Sequence, residues 1–542
     1  MDSHRQWEPV LTRVDRRWWQ TTTIYQIYPR SFQDSNGDGV GDLRGIIARI
    51  PYLKQLGIET VWISPFFPSP MKDFGYDISD YCGIDPLFGS MDDFDALLAE
   101  LHANGLRLIL DLVPNHTSDQ HPWFSESRLS RSSPKRDWYI WRDAHGDGGA
   151  PNNWLSEFGG SAWTFDPVTS QFYHHAFLVE QPDLNWRNPN VRAAMHEVMR
   201  YWLRKGVDGF RVDVMWHLMK DAQFRDDPPN PAYDANQPPY ESLLTRYSAD
   251  VDDVHDVVRG LREVVDEFDD RLLIGEIYLP LERVVAYYGD NLGGAHLPFN
   301  FTLLSTPWSA TEIEALVKRY EALLQTDAWP NWVLGNHDRR RLASRVGSDQ
   351  LRNAAMLLLT LRGTPTLYYG DELGMLHADI PPDRVRDPWE ISVPGKGIGR
   401  DGVRTPMQWS SEPDAGFSSV EPWLPLGENW KTENVERLIK DSASVLNFYR
   451  RLIEFRKDSL ALQVGNYEGI GSENGALWFA RTHGTERLWI ALNLASDPVT
   501  LVSAPERGEI VLSTHFDRDG EATGGPMELR PNEGVIVRIA AS

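Results

Sequence analysis

The chain has a single cysteine, Cys82, among 542 residues. No internal disulfide can form, which fits a reducing cytoplasm. Cys82 itself reads as a small buried residue. No run reaches about 18 consecutive apolar residues, so no transmembrane helix is expected. The first twenty residues, MDSHRQWEPVLTRVDRRWWQ, carry no apolar core ahead of a cleavage site, so no signal peptide is expected. Basic residues are few, 54 Lys and Arg against 78 Asp and Glu, and they form no stripe. The resulting net charge of −24 repels nucleic acid and anionic membranes and favours solubility. There is no GxxxxGKS or GxxxxGKT loop and no GxGxxG after a strand, so nucleotide chemistry has no support.

What is present is ordinary in bulk and unusual in detail. Apolar content is 41% and charged content 24%, normal for a globular protein. The length suggests roughly three or four domains, or one large barrel with additions. Aromatics are abundant, with 21 Trp, 19 Tyr and 21 Phe. Most of them belong in a core, but aromatic faces also stack on the apolar faces of sugar rings.

Eight strand-like runs recur along the chain: 23–32, 60–66, 107–116, 209–214, 271–278, 299–304, 331–338 and 364–370. Amphipathic stretches at 43–57, 91–105, 190–206 and 254–268 lie between them. In the second, Phe94, Leu97, Leu98 and Leu101 recur at helical spacing. Alternating strand–helix units predict an α/β fold, a (β/α)8 TIM barrel. The stretch from 117 to 180 is rich in Trp, Ser, Gly, Asn and Pro and reads as a small domain inserted after strand three. Residues 216–250, with DDPPNPAYDANQPPY, read as a long ordered loop. Beyond 458, β-rich runs alternate with turns and predict a C-terminal all-β sandwich domain, 458–542. The barrel then comprises 1–116 and 181–457.

Three strand-like runs end in carboxylates: GFRVDV with Asp213, LLIGEIY with Glu276 and WVLGNHD with Asp338. A buried acid needs solvation or a partner, and three at strand ends point to a shared pocket. In a barrel of this kind the strand C-termini form the active face. Asp111, Asn115 and His116 belong there from strand three, Arg211 from strand four, and Asn336 and His337 from strand seven. The set lacks the closely spaced His pair or Cys of a zinc site. Paired carboxylates without a redox or phosphate motif suggest glycoside chemistry.

DLVPNH (111–116), QPDLN (181–185), GFRVD (209–213), GEIY (275–278) and GNHD (335–338) resemble the signature regions of the α-amylase superfamily, glycoside hydrolase family 13. GYDISDY (75–81), TLYYGDELGM (366–375) and GRDGVRTPMQW (399–409) resemble its α-glucosidase and oligo-1,6-glucosidase branch. The resemblance runs in register from about Tyr25 to Trp409. It implies a retaining mechanism, with Asp213 as nucleophile, Glu276 as general acid/base and Asp338 as the acid that grips ring hydroxyls. Arg211, two residues before Asp213, faces the same way and can keep it ionised. By the same resemblance Asp77, His116, His337 and Arg404, with Arg400 as alternative, hold a terminal glucose on which Tyr76 stacks. Phe177 and Trp163 would line the neighbouring subsite. Val214, next to the nucleophile, goes with α-1,6 bonds in some relatives, while the branch sharing the WHLMKD…FRDDPPNP pattern accepts α-1,4 disaccharides.

The implied activity is exo-acting release of α-D-glucose from maltose, isomaltose, sucrose or similar small α-glucosides, with transfer to sugar or alcohol acceptors. The alternatives are a dedicated glucosyltransferase, a sucrose isomerase or trehalose synthase on the same scaffold, and, remotely, a non-catalytic transporter accessory. No organic cofactor, nucleic-acid partner or membrane partner is expected, and the protein would be a monomer or homodimer. Asp34, Asn36, Asp38, Val40 and Asp42 space oxygen ligands every second residue and suggest a structural Ca2+ loop, without the bidentate Glu of an EF-hand, since Gly45 stands there.

Overall fold

The computed structural model describes residues 17–540; the stretch ahead of Arg17, in which no signal peptide was expected, lies outside the described residues. Eight parallel strands form the centre: β1 (Ile24–Ile27), β2 (Thr60–Ile63), β3 (Arg107–Leu112), β4 (Gly209–Val212), β5 (Leu272–Gly275), β6 (Leu297–Pro298), β7 (Asn331–Val333) and β8 (Thr364–Tyr368). They pair in the order β7-β8-β1-β2-β3-β4-β5-β6. A parallel bridge between Asn300 and Trp332 joins the two ends and closes the barrel. The strands are buried on both faces, as parallel strands covered by helices must be. Every second residue points inward. Ile24, Ile109, Leu272, Ile274, Leu297 and Val333 share one inner apolar cluster with Trp62. One pleat further toward the C-terminal rim stand Gln26, Asp111, Arg211 and Glu276.

The four expected helices form as α1 (Leu43–Leu56), α2 (Met91–Ala103), α3 (Pro189–Lys205) and α4 (Val254–Asp266). Their boundaries follow local chemistry. Ser90 and Asp93 make a capping box on α2, and Gly206 ends α3 in the left-handed region at φ 108°.

Strand six departs from expectation. The run 299–304 was read as the strand, but β6 is Leu297–Pro298, and Thr302–Ser305 is helical. Pro298 has no N–H for the ladder. The Asn300 side chain accepts from the Thr302 N–H at 3.1 Å, which turns the chain into the helix.

Between β3 and α3 the chain makes a helix, Pro122–Arg128, and a three-stranded antiparallel sheet of Trp141–Arg142, Gln171–His174 and Trp163–Asp166 in that spatial order. It returns to the barrel through antiparallel bridges His116–Asp183 and Tyr139–Leu184. The end of this insertion therefore lies directly on the end of β3. Beyond the barrel, a six-stranded antiparallel sheet begins at Asn466 and is accompanied by a two-stranded ribbon, Val499–Leu501 with Met527–Leu529. Its period-two pattern is buried on both faces. Leu477, Phe479, Leu488, Ile490, Leu492 and Ile536 join the main core, while Ala476, Ala480, Trp489, Ala491, Val535 and Val537 pack with the ribbon.

Candidate active site

Arg211 organises the rim. Its Nη1 donates to Asp213 Oδ1 and to Asp111 Oδ1, both at 2.7 Å. Its Nη2 lies 2.7 Å from Glu276 Oε2, an ion pair without the alignment of a hydrogen bond. Three carboxylates therefore share one buried guanidinium, a geometry that lysine cannot reproduce. Glu276 Oε2 also accepts the Val214 N–H at 2.8 Å. Val214 is held at φ 37°, a conformation unusual for a β-branched residue, and this aims its N–H at Glu276.

Burial raises the carboxyls of both Asp213 and Glu276, against the attraction of Arg211. Asp338 adds to the rise at Glu276. Asp111 beneath them is pushed by burial up to about 7. It accepts from Trp62 Nε1 and from the Tyr76 hydroxyl, both at 3.2 Å, so it supports Arg211 and Tyr76 from below.

Asp338 stands across the cavity in a different setting. Burial alone would raise it, but the guanidinium groups of Arg404, Arg400 and Arg211 together bring it well below the usual carboxylate range. Arg404 Nη2 donates to Asp338 Oδ1 at 2.8 Å, and His337 Nε2 lies 3.3 Å from Oδ2. Burial holds the His337 ring neutral. Gln26 Nε2 lies 2.8 Å from His337 Nδ1, and Nε2 lies 2.6 Å from the Tyr76 hydroxyl. Tyr76 passes its own proton toward Asp111, so the His337 proton belongs on Nε2.

These groups line a cavity of about 200 Å³, bounded by Tyr76, His116, Phe177, Asp213, Val214, Glu276, His337 and Asp338 among others. It is smaller than the roughly 300–1,000 Å³ of drug-sized ligand sites. The space suits one sugar ring, not an extended chain.

Four residues expected at the site, Asp77, Arg404, Arg211 and Trp163, are not on its wall. Asp77 is fully buried, and its oxygens accept from the Ser69 hydroxyl at 2.8 Å and the N–H groups of Lys72 and Asp73 at 2.9 and 3.0 Å. It closes its own loop. Asp73, three residues before Tyr76, reaches the cavity instead and accepts from Arg400 Nη2 at 2.7 Å. Arg404 lies behind the wall, holding Asp338 and the His337 carbonyl, while Arg400 lines the cavity. Arg211, fully buried, sits beneath the floor. Trp163 packs with Trp154 in a separate cluster away from the cavity. Sequence reasoning did not find Glu157, Phe158, His217, Tyr240 or Trp389, which complete the wall. Glu157 and Phe158 come from a loop, and His217, Tyr240 and Trp389 from helical turns of three to five residues, too short for a readable period.

The loop 34–42 wraps through successive side-chain turns. Asp34 Oδ1 accepts from the N–H groups of Asn36 and Gly37, Asn36 Oδ1 from Asp38, and Asp38 Oδ1 from Val40. Asp42 caps α1 through the Gly45 N–H at 2.7 Å. The donors are hard oxygens, which suit Ca2+. Among the described residues, however, no three carboxylate, histidine or cysteine groups are gathered at metal-ligand spacing.

Comparison with known proteins agrees with the geometry. The family model for the α-amylase catalytic domain matches residues 26–465. A probable α-glucosidase of Rhizobium meliloti (strain 1021) is 43% identical over 505 residues, covering 90% of this chain and 92% of that protein. An oligo-1,6-glucosidase of Parageobacillus thermoglucosidasius is 37% identical, covering 97% of this chain and 100% of that protein. The crystal structure of the α-glucosyl transfer enzyme XgtA superposes with a TM-score of 0.91 at 40% identity, covering 97% of this chain and all of that one. With closely set carboxylates on the rim of an eight-stranded parallel barrel and these relatives along nearly its whole length, the chain belongs to the α-amylase family, glycoside hydrolase family 13, in its α-glucosidase and oligo-1,6-glucosidase branch.

Proposed function

We propose that this glycoside hydrolase is a retaining exo-α-glucosidase that releases terminal α-D-glucose from small α-glucosides such as maltose, isomaltose or sucrose. The observation that carries the reading is the pair Asp213 and Glu276 on one guanidinium, at the floor of a cavity sized for a single ring. Asp213 attacks the anomeric carbon while Glu276 gives its proton to the departing glycosidic oxygen. The product is a covalent glucosyl-enzyme. Glu276, now a carboxylate, takes a proton from water or from an acceptor hydroxyl, which displaces Asp213 and restores the α configuration. Asp338, ionised and held by Arg404, grips ring hydroxyls, and His116, His337, Asp73 and Arg400 surround the same ring. Arg211 donates an aligned hydrogen bond to Asp213 and none to Glu276, which supports Asp213 holding the charge and Glu276 starting as the acid.

Asp213→Asn tests this assignment. Hydrolysis of p-nitrophenyl α-glucoside should fall at least about 10³-fold, the order lost when one member of a concerted catalytic set is removed. Proton NMR of the first sugar released by the wild type should show α-glucose. β-Glucose, or an active Asn variant, would overturn the assignment.

Transfer to sugar or alcohol acceptors is part of the proposal, and a dedicated transferase is the second reading. Arg339 favours it, since its guanidinium lies 4.8 Å from the Tyr278 ring at the cavity mouth, where an acceptor would enter. Trisaccharides accumulating from maltose would support transfer; glucose alone would support hydrolysis. A structural cation in the 34–42 loop is a separate proposal, supported by its alternate oxygen donors. A cytoplasmic setting is proposed from the single, unpaired Cys82.

A further inference from the structure

Lys220 has no exposed role and no place in the chemistry above, yet its ammonium is almost wholly buried beside the cavity. A lysine ammonium has three N–H donors and accepts nothing. Here each donor has one acceptor: Asp183 Oδ2 at 2.5 Å, Asn115 Oδ1 at 2.7 Å and the His217 carbonyl at 2.6 Å. The three acceptors come from the end of the insertion, the segment after β3 and the segment after β4. One cation thus ties together the three pieces of chain that meet at His116.

The contact with Asn115 has a consequence for the neighbouring ring. Because lysine can only donate, the Asn115 atom facing it must be the carbonyl oxygen. The amide nitrogen then faces Asp183 Oδ1 at 3.2 Å and His116 Nδ1 at 3.1 Å. It donates to both, so His116 Nδ1 carries a lone pair. The ring proton sits on Nε2, which lies 3.1 Å from the Tyr76 carbonyl oxygen, on the chain that carries the aromatic floor of the cavity. Gln181 Nε2 also lies 3.2 Å from His116 Nε2, with the Gln181 oxygen held by the Leu178 N–H at 3.0 Å, but that amide donates to Asp73 Oδ2 at 3.3 Å and leaves the His116 Nε2–H to the Tyr76 carbonyl. The charged or titratable groups that face His116 are Asp183, Lys220 and His217, with Asp73 beyond the Gln181 amide. Asp183 is balanced by Lys220 and by His174, whose Nδ1 lies 3.0 Å from Oδ2.

We propose that Lys220 is a positioning residue for the glucose-binding cavity: through the Asn115 amide it fixes the Nε2–H tautomer of His116 and thereby the Tyr76 backbone. Burial holds the His116 ring at about 4, and Lys220 and His217 oppose its protonation while Asp183 favours it. Loss of the ammonium therefore lets His116 take up a proton at higher pH. The contacts stand independently of the glucosidase reading; only the activity assay rests on it.

The test uses Lys220→Ala, Lys220→Met and the double variant Asp183→Asn with Lys220→Met, which removes both buried charges together and protects folding. Side-chain nitrogen NMR of His116 should show Nε2–H in the wild type and a mixture of tautomers in every folded variant. The kcat/KM for p-nitrophenyl α-glucoside should drop by about 10- to 100-fold, the range lost when an outer partner of an oriented histidine is removed. The acid limb of the pH profile should move to higher pH in the two single variants, which leave Asp183 beside His116 without its cation. Methylammonium should restore part of the activity of Lys220→Ala, and tetramethylammonium, which has no N–H, should not. A folded double variant with a wild-type tautomer and kcat/KM would overturn the proposal. Altered tautomers with no glucosidase activity in the wild type would instead retain it and reject the function proposed above.

Discussion

Arg211 shows how much a single side chain carries at the residue scale. Its planar fork reaches three carboxylates that would otherwise repel one another in a buried site. Arg211→Lys keeps the charge and loses the fork. We expect kcat/KM to fall by roughly 10² or more, because Asp213 and Glu276 lose their shared positioning. The pH dependence has a definite sign. Asp213 must be ionised and Glu276 protonated, so activity lies between an acid and a basic limb. Arg211→Met removes the cation itself and raises both carboxyls, so in that variant both limbs should move to higher pH. A profile measured with p-nitrophenyl α-glucoside checks this, and the two apparent values belong to the coupled group of acids, not to single residues. An unmoved profile would mean that Arg211 acts only in folding.

At the scale of the element, the strands that bear these acids approach closely because glycine permits it. A Cβ on Gly209 would fall 2.2 Å from the Leu272 carbonyl oxygen on β5. Gly209→Ala must spread β4 from β5, the strands leading to Asp213 and Glu276. The expected cost is about 1–3 kcal/mol, read from urea unfolding, with a loss of kcat that Gly160→Ala should not produce. The added Cβ at Gly160 meets open space, although its φ of 78° carries some strain of its own. The 34–42 loop makes its own prediction. If a cation joins Asp34, Asp38 and the Val40 carbonyl, EDTA should lower the melting temperature by roughly 2 °C or more, and added Ca2+ should reverse it. An unchanged melting temperature would show that the N–H groups already close the loop unaided.

At the scale of the whole molecule, the C-terminal sheet is fastened to the barrel by buried arginines that meet carbonyl oxygens, not acids. Arg481 donates to the carbonyls of Thr360, Leu462 and Gly465, and Arg456 to those of Leu359, Leu462 and Gly363. Burial lowers Arg481 to about 10 and Arg456 to about 9, since no carboxylate compensates either charge directly. These contacts satisfy the end of the helix Leu351–Thr360 and the turn into the sheet. Arg481→Met keeps the apolar stem but orphans buried carbonyls, at about 1–3 kcal/mol for each group left unpaired. Thermal unfolding should therefore begin at lower temperature, while kcat at 25 °C stays unchanged. A stability equal to that of the wild type would show that apolar packing alone holds the two parts together.

The sequence by itself determined the strand–helix alternation, the ends of four helices and the strand ends that bear Asp213, Glu276 and Asp338. These are local properties: period-two and period-3.6 burial, caps, and the few polar residues at the end of an apolar run. The structure alone decided which loop residues turn inward. Asp73 and Asp77 are four residues apart and equally acidic. Asp73 reaches the cavity because Arg400, 327 positions away, meets it there, whereas Asp77 is taken by the N–H groups of its own loop. Arg400 and Arg404 share one motif and divide in the same way between cavity wall and support. β6 was misplaced because two residues of strand carry no readable period. Lys220 was not recognised because nothing local distinguishes a lysine that binds Asp183 and Asn115 from one in solvent. Periodicity and capping act within a few residues; the direction of a loop side chain depends on partners that only the closed barrel brings together.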